Sequence, residues 1–354
     1  MQLEFYGRGF LTPLFYIDLL NNKIRWLIWV CLFLLFPFLM ICGSYYDNTW
    51  IIKDEGVGLY EHYGMWGFIL TNPFIVYFTI KCWKETLSLL DRIYDITTCQ
   101  APNIEISKIK SRSIVVLTVC SKSKYVLYLL ITCGFLALTT NILQTIDPEN
   151  IYGNDVFDSY KYFYGFIFTK IFLCITWCLI YPLAIYMIVS SSVVVYIVMR
   201  TICALNLLRI DLFNRDRCGG LSVFGKINIY ILTVYLLVYL VIYLLFETHS
   251  SIYFTVELSL TAISIFIVLQ SIIGVYPVHQ SILAKKNEII DMLNIKLNIY
   301  IDNPESISNF PENLFTLRNY ISTIHTYPYA DKANTAVNFV RFIPTVLAIY
   351  KIIA

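Results

Sequence analysis

The last apolar stretch of the chain carries four polar residues at helical spacing. The second, third and fourth follow the first at offsets of four, seven and eleven, which places all of them on one face of a helix. They are Asn334, Asn338, Arg341 and Thr345. An unpaired arginine in hydrocarbon costs at least about 2.5–3.5 kcal/mol, so Arg341 is expected to face protein, a carboxylate or water. The pattern is typical of a pore lining, and also of a contact between helices that conducts nothing.

A second distinctive string joins two apolar stretches in the middle of the chain. Its characteristic residues are Asn214, Asp216, Cys218, Gly219, Gly220, Leu221 and Gly225. The glycine pair permits positive φ angles and therefore predicts a sharp reversal between two helices. The Asp216 carboxylate can cap backbone amides in such a turn. The alternative is a reactive thiol at Cys218, which arginines flank.

Two charged residues fall inside apolar stretches far apart in the chain. Lys170 and Glu257 lie roughly two turns and one turn from the predicted outer ends of their helices. These depths are compatible with an intramembrane ion pair. Alternatively, each side chain extends to the outer membrane interface, which demands more reach of Lys170 than of Glu257.

No residue pattern in the sequence is typical of an enzyme, a metal site or a cofactor site. Cys174 and Cys178 lie one helical turn apart but have no third ligand nearby, and the four histidines are scattered. The HExxH and GxSxG motifs are absent. We therefore predict no catalytic activity, no bound metal and no cofactor.

The composition sets the environment in which these residues work. Of the 354 residues, 58% are hydrophobic and only 14% are charged, and the mean hydropathy is +0.66. This leaves too little polar surface for a soluble enzyme of this size and indicates a membrane protein whose first partner is the lipid bilayer. The formal net charge of +2 gives no basic field for a nucleic acid.

Seven stretches are apolar enough to cross a bilayer as helices, which takes about 20 residues each. The predicted spans are 26–45, 65–80, 125–144, 162–199, 229–246, 253–276 and 335–353. The sequence thus predicts an all-α, polytopic integral membrane protein that forms one membrane domain, residues 1–354. Two spans are weaker, the second because it contains Pro73 and the seventh because it contains Arg341.

The distribution of charge supports all seven spans and fixes their direction. With the N-terminus inside, the inner segments hold 21 lysines and arginines, whereas the outer loops hold only Lys53 and Lys161 together with nine acidic residues. Basic residues are retained in cytoplasmic loops, so we predict an inside N-terminus and an outside C-terminus. The inner helical regions are then 84–123, 200–226 and 278–333.

Helical patterns continue beyond the fourth and sixth spans. The stretch 201–213 has an apolar face that extends the fourth span, and 281–301 has one that extends the sixth. A shorter helix is predicted after Pro311. These stripes would lie in water unless they packed together, so we expect a cytoplasmic helical bundle. The alternative is a set of interfacial helices lying on lipid.

The glycine loop also carries a resemblance. The string N-x-D-x-C-G-G-L-x-x-x-G from Asn214, with the later YPVHQSILAKKNEII and FIPTVLAIY, resembles a family of uncharacterised prokaryotic integral membrane proteins. That family usually has H-P-D-x-C/A-G-G-L-x-x-x-G in this loop, and this chain departs from it at Asn214 and Arg215, so no histidine stands there. The resemblance covers the C-terminal part of the chain and implies no particular activity.

The arrangement of the predicted helices is similar to that of the insect gustatory and odorant receptor class. The shared features are seven spans, an inside N-terminus, overlong fourth and sixth spans and an inner helix before the seventh. Those receptors are tetrameric cation channels in which inner helices join the subunits and the seventh span lines the pore. The TYxxxxxQF signature of that class is absent from the last span here. The likeness therefore implies organisation alone.

These observations favour a multi-pass protein of the cytoplasmic membrane that forms homo-oligomers, tetramers by the second resemblance. We predict an ion channel or a chemoreceptor-like sensor whose last span lines the pore. A membrane scaffold without conduction and a small-molecule transporter stay open as alternatives. The ion or ligand is not specified by any motif.

Overall fold

The computed structural model describes residues 22–46, 48, 50–51, 58–61, 63–97, 103–121, 128, 131–132, 135, 181–247, 254–301 and 312–329. Within these residues the fold is helical and contains no strand, in agreement with the predicted all-α class. The helices are α1 Asn22–Tyr46, α2 Tyr63–Asp91, α3 Ile93–Ile96, α4 Asn103–Ser121, α5 Tyr181–Ala204, α6 Ser222–Glu247, α7 Phe254–Ile273, α8 Tyr276–Ile301 and α9 Glu312–Ser322.

Five of the predicted spans coincide with helices, in whole or in part. Those helices are α1, α2, α5, α6 and α7. In the predicted span 125–144 only residues 128, 131, 132 and 135 are described, and the predicted span 335–353 lies wholly outside the described residues. Proline is tolerated within two of these helices, at Pro37 in α1 and Pro73 in α2.

Two of the described helices are long and apolar enough to cross a membrane. They are the segments Tyr186–Ala204 of α5 and Ser222–Val241 of α6. Two such helices are weak evidence of membrane association, because a buried core helix of a soluble protein meets the same test. The structure therefore agrees with the prediction that the chain contains apolar helices long enough to span a membrane.

The chain divides into two compact units. The first comprises Met1–Lys84, Val115–Ser191 and Thr233–Ile267, and the second comprises Glu85–Ile114, Ser192–Leu232 and Val268–Ala354. In the first unit, aromatic rings gather around Trp50, which stacks on Tyr45 at 4.9 Å between ring centroids and meets Trp66 edge-on at 6.2 Å. These rings pack the chain entering α2 against the end of α1.

The second unit has its own apolar core between α8 and α9. The buried residues of this core are Leu212, Leu293, Ile321 and Ile324. Partly buried apolar side chains surround them: Ile210, Ile289, Ile290, Leu314 and Leu317. As the apolar periodicity and Pro311 predict, α8 extends to Ile301 and α9 begins at Glu312.

The expected helical continuation over 201–213 is confirmed to Ala204 and is wrong beyond it. Helix α5 ends at Ala204, where Asn206 adopts a positive φ of 51°. The Leu207 amide donates to the Ile202 carbonyl at 3.0 Å and the Asn206 amide to the Cys203 carbonyl at 3.1 Å. These two bonds form a Schellman motif, which asparagine permits because it tolerates the left-handed conformation. The helix therefore stops although the apolar spacing continues.

After this stop the chain is irregular and pairs with the residues at the end of α3. The Arg209 amide donates to the Ile96 carbonyl at 2.8 Å, and Thr97 and Leu208 form an antiparallel bridge. The apolar residues Ile210 and Leu212 still reach the core, but from an irregular segment. The apolar residues of this segment are therefore buried although the segment is not helical.

The sixth predicted span is also not continuous with the helix that follows it. Helix α7 ends at Ile273, a turn occupies Gly274 and Val275, and α8 begins at Tyr276. Pro277 lies in the first turn of α8, where a missing amide hydrogen breaks no helical bond. The predicted overlong helix is therefore two helices joined by a tight turn.

Candidate functional site

Several predicted site residues lie outside the described part of the chain. The four residues of the predicted pore face, Asn334, Asn338, Arg341 and Thr345, are among them, and so is Lys170. Glu257 lies in the backbone of α7, but its side chain is not described. The predicted pore face and the predicted ion pair therefore stay predictions.

The glycine loop between α5 and α6 is described in full and folds on itself. The Asp211 amide donates to the Gly219 carbonyl at 3.1 Å, which closes the loop across its base. Inside this closure the Asn214 amide donates to the Asp211 carbonyl, and the Arg217 amide donates to the Asn214 carbonyl. Short-range hydrogen bonds of this kind define a compact turn that reverses the chain.

The Asp216 side chain satisfies the backbone at the start of α6. Its Oδ1 accepts from the amides of Cys218 at 2.9 Å and Gly220 at 3.0 Å, and its Oδ2 accepts from the Ser222 amide at 3.2 Å. Hydrogen bonds from amides to a carboxylate are stronger than those between neutral groups. The negative charge also lies beside a helix N-terminus, where the helix dipole favours it. The expected capping role of Asp216 is confirmed.

The glycine pair has the positive φ angles that the sequence predicts. Gly219 has φ of 72° and Gly220 has φ of 83°. A β-carbon on Gly219 would lie 2.9 Å from Cγ2 of Ile210. Space and backbone conformation therefore both favour glycine there.

Cys218 lies inside the loop and is completely buried, with 0% exposed. A thiol that reacts with molecules in solution needs access to them, and structural buried cysteines are inert. This burial favours a packing role for Cys218 over the alternative of a reactive thiol. Leu221, also 0% exposed, packs beside it at the entry to α6.

Gly225 receives the backbone of a segment that is distant in sequence. We call residues 325–329 the docked segment. A β-carbon on Gly225 would lie 1.8 Å from the Pro328 carbonyl oxygen, so that oxygen rests directly on the Gly225 backbone. At the loop, the His325 amide donates to the Arg217 carbonyl at 3.2 Å. The glycine loop and the first turn of α6 therefore form the seat of the docked segment.

A buried polar cluster fixes the end of the docked segment. Asn228 of α6 donates from Nδ2 to the Tyr329 hydroxyl at 2.7 Å and accepts at Oδ1 from Nε2 of Gln270 at 3.1 Å. Asn228 and Tyr329 are both buried. Gly274 makes room for this cluster, because a β-carbon there would lie 2.8 Å from both Asn228 Oδ1 and Gln270 Nε2.

An aromatic stack holds the middle of the docked segment. The rings of His279 and Tyr327 lie 4.0 Å apart between centroids and are tilted by only 15°. Tyr327 also lies 6.3 Å from Tyr329 in a nearly parallel orientation. A short turn closes over Pro328, where the Tyr329 amide donates to the Tyr327 carbonyl at 2.8 Å.

Lys286 of α8 binds the end of α9, directly before the docked segment. Its Nζ donates to the Ser322 carbonyl at 2.7 Å and to the Ile324 carbonyl at 2.9 Å. These carbonyls stand at the C-terminal end of α9, where a cation is favourable. Partial burial lowers the pKa of the Lys286 ammonium below its ordinary value.

The chemistry of this site is hydrogen bonding and close packing. Across the residues that the structure describes, no group of three or more histidines, cysteines or acids could hold a metal ion. The contacts instead fix five residues of irregular chain against α6, α8 and the glycine loop. The docked segment ends five positions before Asn334, the first residue of the predicted pore face.

Sequence reasoning missed most of the residues that hold the docked segment. Gln270 lies inside the predicted sixth span and Asn228 directly before the predicted fifth, and isolated amides among apolar helical residues often join helices through hydrogen bonds. That signal was present in the sequence. The seat at Gly225 had no comparable signal, because its partner Pro328 is remote in the chain.

Comparison with known proteins adds no relative: no family model matches the chain, and no curated protein or solved structure shows a significant match to it.

Proposed function

We propose that this chain is a multi-pass protein of the cytoplasmic membrane with seven spans, an inside N-terminus and an outside C-terminus. The segregation of 21 basic residues from the acidic loops supports this topology. The two described helices of spanning length are in keeping with it. Topology reporters fused after residues 226 and 250 test this arrangement. We expect the reporter after residue 226 on the cytoplasmic side and the reporter after residue 250 on the outer side.

We further propose that the protein is an oligomeric ion channel or chemoreceptor-like sensor whose last span lines the pore. The observation that carries this proposal is the polar face of Asn334, Asn338, Arg341 and Thr345 in an otherwise apolar stretch. The docked segment is compatible with this proposal, because residues 325–329 are held against α6 and α8 five positions before Asn334.

Conductance of the purified protein in planar bilayers tests the channel proposal. We expect single-channel currents that Arg341→Gln alters in selectivity or conductance, because the replacement removes a charge from the pore face. Ile343→Val is the matched control, since residue 343 belongs to another face of the same predicted helix. A monomeric protein that leaves bilayers silent would defeat the proposal.

A membrane scaffold is the second candidate function. One observation favours it, because the described loop and polar cluster use their side chains for packing and capping. A scaffold would be oligomeric or bind partners and would stay silent in bilayers. A small-molecule transporter is the third candidate, and counterflow uptake into proteoliposomes would distinguish it from both.

A further inference from the structure

Four aromatic side chains meet where the end of α1 approaches the start of α2. Trp50 lies at their centre: its ring stacks on Tyr45 at 4.9 Å between centroids, and the rings of Tyr60 and Trp66 lie 5.8 and 6.2 Å from it. The four residues come from α1, the loop after it, the turn before α2 and α2 itself, all within the first unit. We call these four rings the aromatic corner.

The rings of the aromatic corner point in different directions. Relative to the Trp50 plane, the Tyr45 plane is tilted by 16°, the Tyr60 plane by 46° and the Trp66 plane by 89°. Ring faces at such angles form walls on more than one side of a small group, which is how aromatic residues surround a bound cation. Aromatic pairs adopt the same angles in a closed core, where no ligand reaches them. Access to the rings therefore distinguishes the two cases.

The aromatic corner is accessible to solvent. Tyr45 is 60% exposed and Tyr60 is 59% exposed, while Trp50 and Trp66 are half-buried. Leu59, next to Tyr60, is only 1% exposed, so a neighbouring aliphatic side chain provides the local packing. A group of large apolar rings that stays open in this way is typical of a binding surface.

The backbone holds these rings in place without a ligand. The Tyr60 amide donates to the Trp50 carbonyl at 3.1 Å, and the Glu61 amide donates to the Gly58 carbonyl at 3.1 Å. A β-carbon on Gly58 would lie 2.6 Å from the Trp50 carbonyl oxygen, so glycine permits this close approach. The turn 58–61 is thus fastened to Trp50, and a ligand would meet rings that are already ordered, which lowers the cost of binding.

The chain around the aromatic corner is acidic. Between residues 47 and 61 it carries four acids and one lysine, which gives a net charge of −3. Glu61 directly follows Tyr60 and is exposed. Acidic surroundings raise the local concentration of cations, so the charge of this segment favours a positively charged ligand on the ring faces. The other acids are Asp47, Asp54 and Glu55.

We propose that the aromatic corner binds an organic cation, an ammonium group that carries methyl or other alkyl substituents. The ring faces attract the positive charge within about 6 Å of their centroids, and the alkyl groups contact the apolar ring surfaces. The inference deepens the proposed sensor function, since it names the class of ligand, and it rests on that proposal for the role of the bound cation. The other use of exposed tyrosine and tryptophan is an aromatic belt at the membrane interface, which needs no cation.

Titration of the purified full-length protein with choline tests the site. Choline is a quaternary ammonium, and neohexyl alcohol has the same shape with a carbon atom in place of the nitrogen. Isothermal titration calorimetry should show saturable binding of choline and at least about tenfold weaker binding of neohexyl alcohol, because only the cation is attracted by the π faces. Equal affinities, or no binding of choline, would overturn the proposal and leave an aromatic belt.

Two replacements of Tyr60 form a matched pair. Tyr60→Leu removes the ring and should weaken choline binding about fivefold, whereas Tyr60→Phe keeps a ring face and should bind as the wild type does. Tyr60 is exposed, so both proteins should fold normally. Tyr196→Leu removes an exposed ring from α5 and is the control outside the aromatic corner. Wild-type affinity in Tyr60→Leu would contradict the role of this ring.

Replacement of the central ring should have a larger effect. We expect Trp50→Leu to weaken choline binding at least about tenfold, because Trp50 contacts the other three rings. Thermal unfolding shows whether the variant is folded, and the pair at Tyr60 decides the matter if it is not. A folded Trp50→Leu protein with wild-type affinity would overturn the site.

The acidic residue beside the rings gives a further readout. Glu61→Gln removes one charge and should weaken choline binding about twofold to threefold, and added salt should weaken binding to the wild type. An affinity that responds to neither change would contradict the attraction by charge on which the choice of a cation depends.

This proposal and the proposed function fail in different ways. A protein that binds choline but stays silent in bilayers would overturn the channel and leave this site standing. A conducting protein that binds choline no better than neohexyl alcohol would overturn the site alone. Topology reporters that place residue 250 on the cytoplasmic side would overturn the outer position of the site, whereas binding in detergent would be unaffected.

Discussion

Two buried asparagines, one in each unit, are treated in opposite ways by the fold. Asn228, in the second unit, is 2% exposed and hydrogen-bonds through both atoms of its amide, to Tyr329 and to Gln270. Asn72, in the first unit, is 0% exposed, and neither atom of its amide has a hydrogen-bond partner among the described residues. The same side chain therefore joins distant segments in one unit and stands unsatisfied in the other.

The difference shows which polar groups serve stability. A paired buried amide contributes a modest stabilisation, whereas an unpaired one costs about 1–3 kcal/mol. Thr79 lies seven residues after Asn72 on the same helical face, and its hydroxyl is also buried without a described partner. We therefore expect the buried polar groups of α2 to contribute no stability, and the hydrogen bonds of Asn228 to stabilise the second unit.

Replacing Gly225 by alanine should have the largest effect, because it attacks the seat of the docked segment. The new β-carbon would lie 1.8 Å from the Pro328 carbonyl oxygen, and backbone atoms cannot yield as a flexible side chain would. We expect a loss of about 2–4 kcal/mol in the free energy of unfolding. Thermal unfolding of the full-length protein in detergent measures the loss.

Lys226→Ala is the control for this variant, since its side chain is exposed one position away. Hydrogen exchange should rise in residues 325–329 and stay unchanged in α1. Unchanged exchange in the docked segment would contradict the seat at Gly225.

Replacing Asn228 by leucine should destabilise the protein by about 2–3 kcal/mol, because it leaves the Tyr329 hydroxyl and the Gln270 amide without their buried partner. A double-mutant cycle with Tyr329→Phe isolates the hydrogen bond and should give a coupling of about 0.5–2 kcal/mol. Chemical unfolding of the four proteins supplies the values. Additive losses would show that the two side chains do not interact.

Replacing Asn72 by leucine should not destabilise the protein, in contrast to the same replacement at Asn228. Leucine has a similar size, and removing an unsatisfied amide from an apolar environment should leave stability unchanged or raise it by about 1 kcal/mol. The same unfolding measurement compares Asn72→Leu with Asn228→Leu. A loss above about 1 kcal/mol at Asn72 would erase the contrast between the two units.

The smallest expected effect concerns pH and Lys286. Its pKa in the folded protein lies below the ordinary value of 10.5, because burial disfavours the charged ammonium. Below the pKa of the folded protein, Lys286 is charged, and the full cost of burying its charge lowers the stability of the fold. As pH rises through that pKa, the folded protein loses the proton before the unfolded chain does, so the penalty fades.

An arginine at this position cannot lose its proton, so Lys286→Arg provides the reference. As pH rises toward 10.5, the wild type should gain stability relative to this variant, because its folded pKa lies below that value. Paired thermal unfolding curves across that range measure the difference. A parallel pH dependence for both proteins would show that Lys286 is not desolvated.

Local signals in the sequence predicted several elements of the second unit. The apolar period and Pro311 gave α8 and α9, and the glycine pair gave the turn that Asp216 caps. Each of these signals acts over a few residues, so neighbours in sequence are enough to determine the outcome. The Schellman stop at Asn206 was missed, since the apolar spacing continues past it.

The docked segment was beyond prediction for a different reason. Asn228 bonds to Tyr329 across 101 positions and to Gln270 across 42. A contact of that range depends on where several helices meet, and no local pattern specifies it. An isolated asparagine among apolar residues indicates that its amide needs a hydrogen-bond partner. It does not identify that partner or show that one is present.

The amino-acid sequence by itself determined the helical class, the apolar character of the long segments, and the turn at the glycine loop. Backbone sterics and the periodic burial of side chains act locally, and these features could therefore be predicted from the sequence. Only the tertiary structure decided that Asn228 is satisfied and Asn72 is not, and that Pro328 rests on Gly225. Hydrogen bonds and close packing require both partners in place, and their meeting is a property of the whole fold.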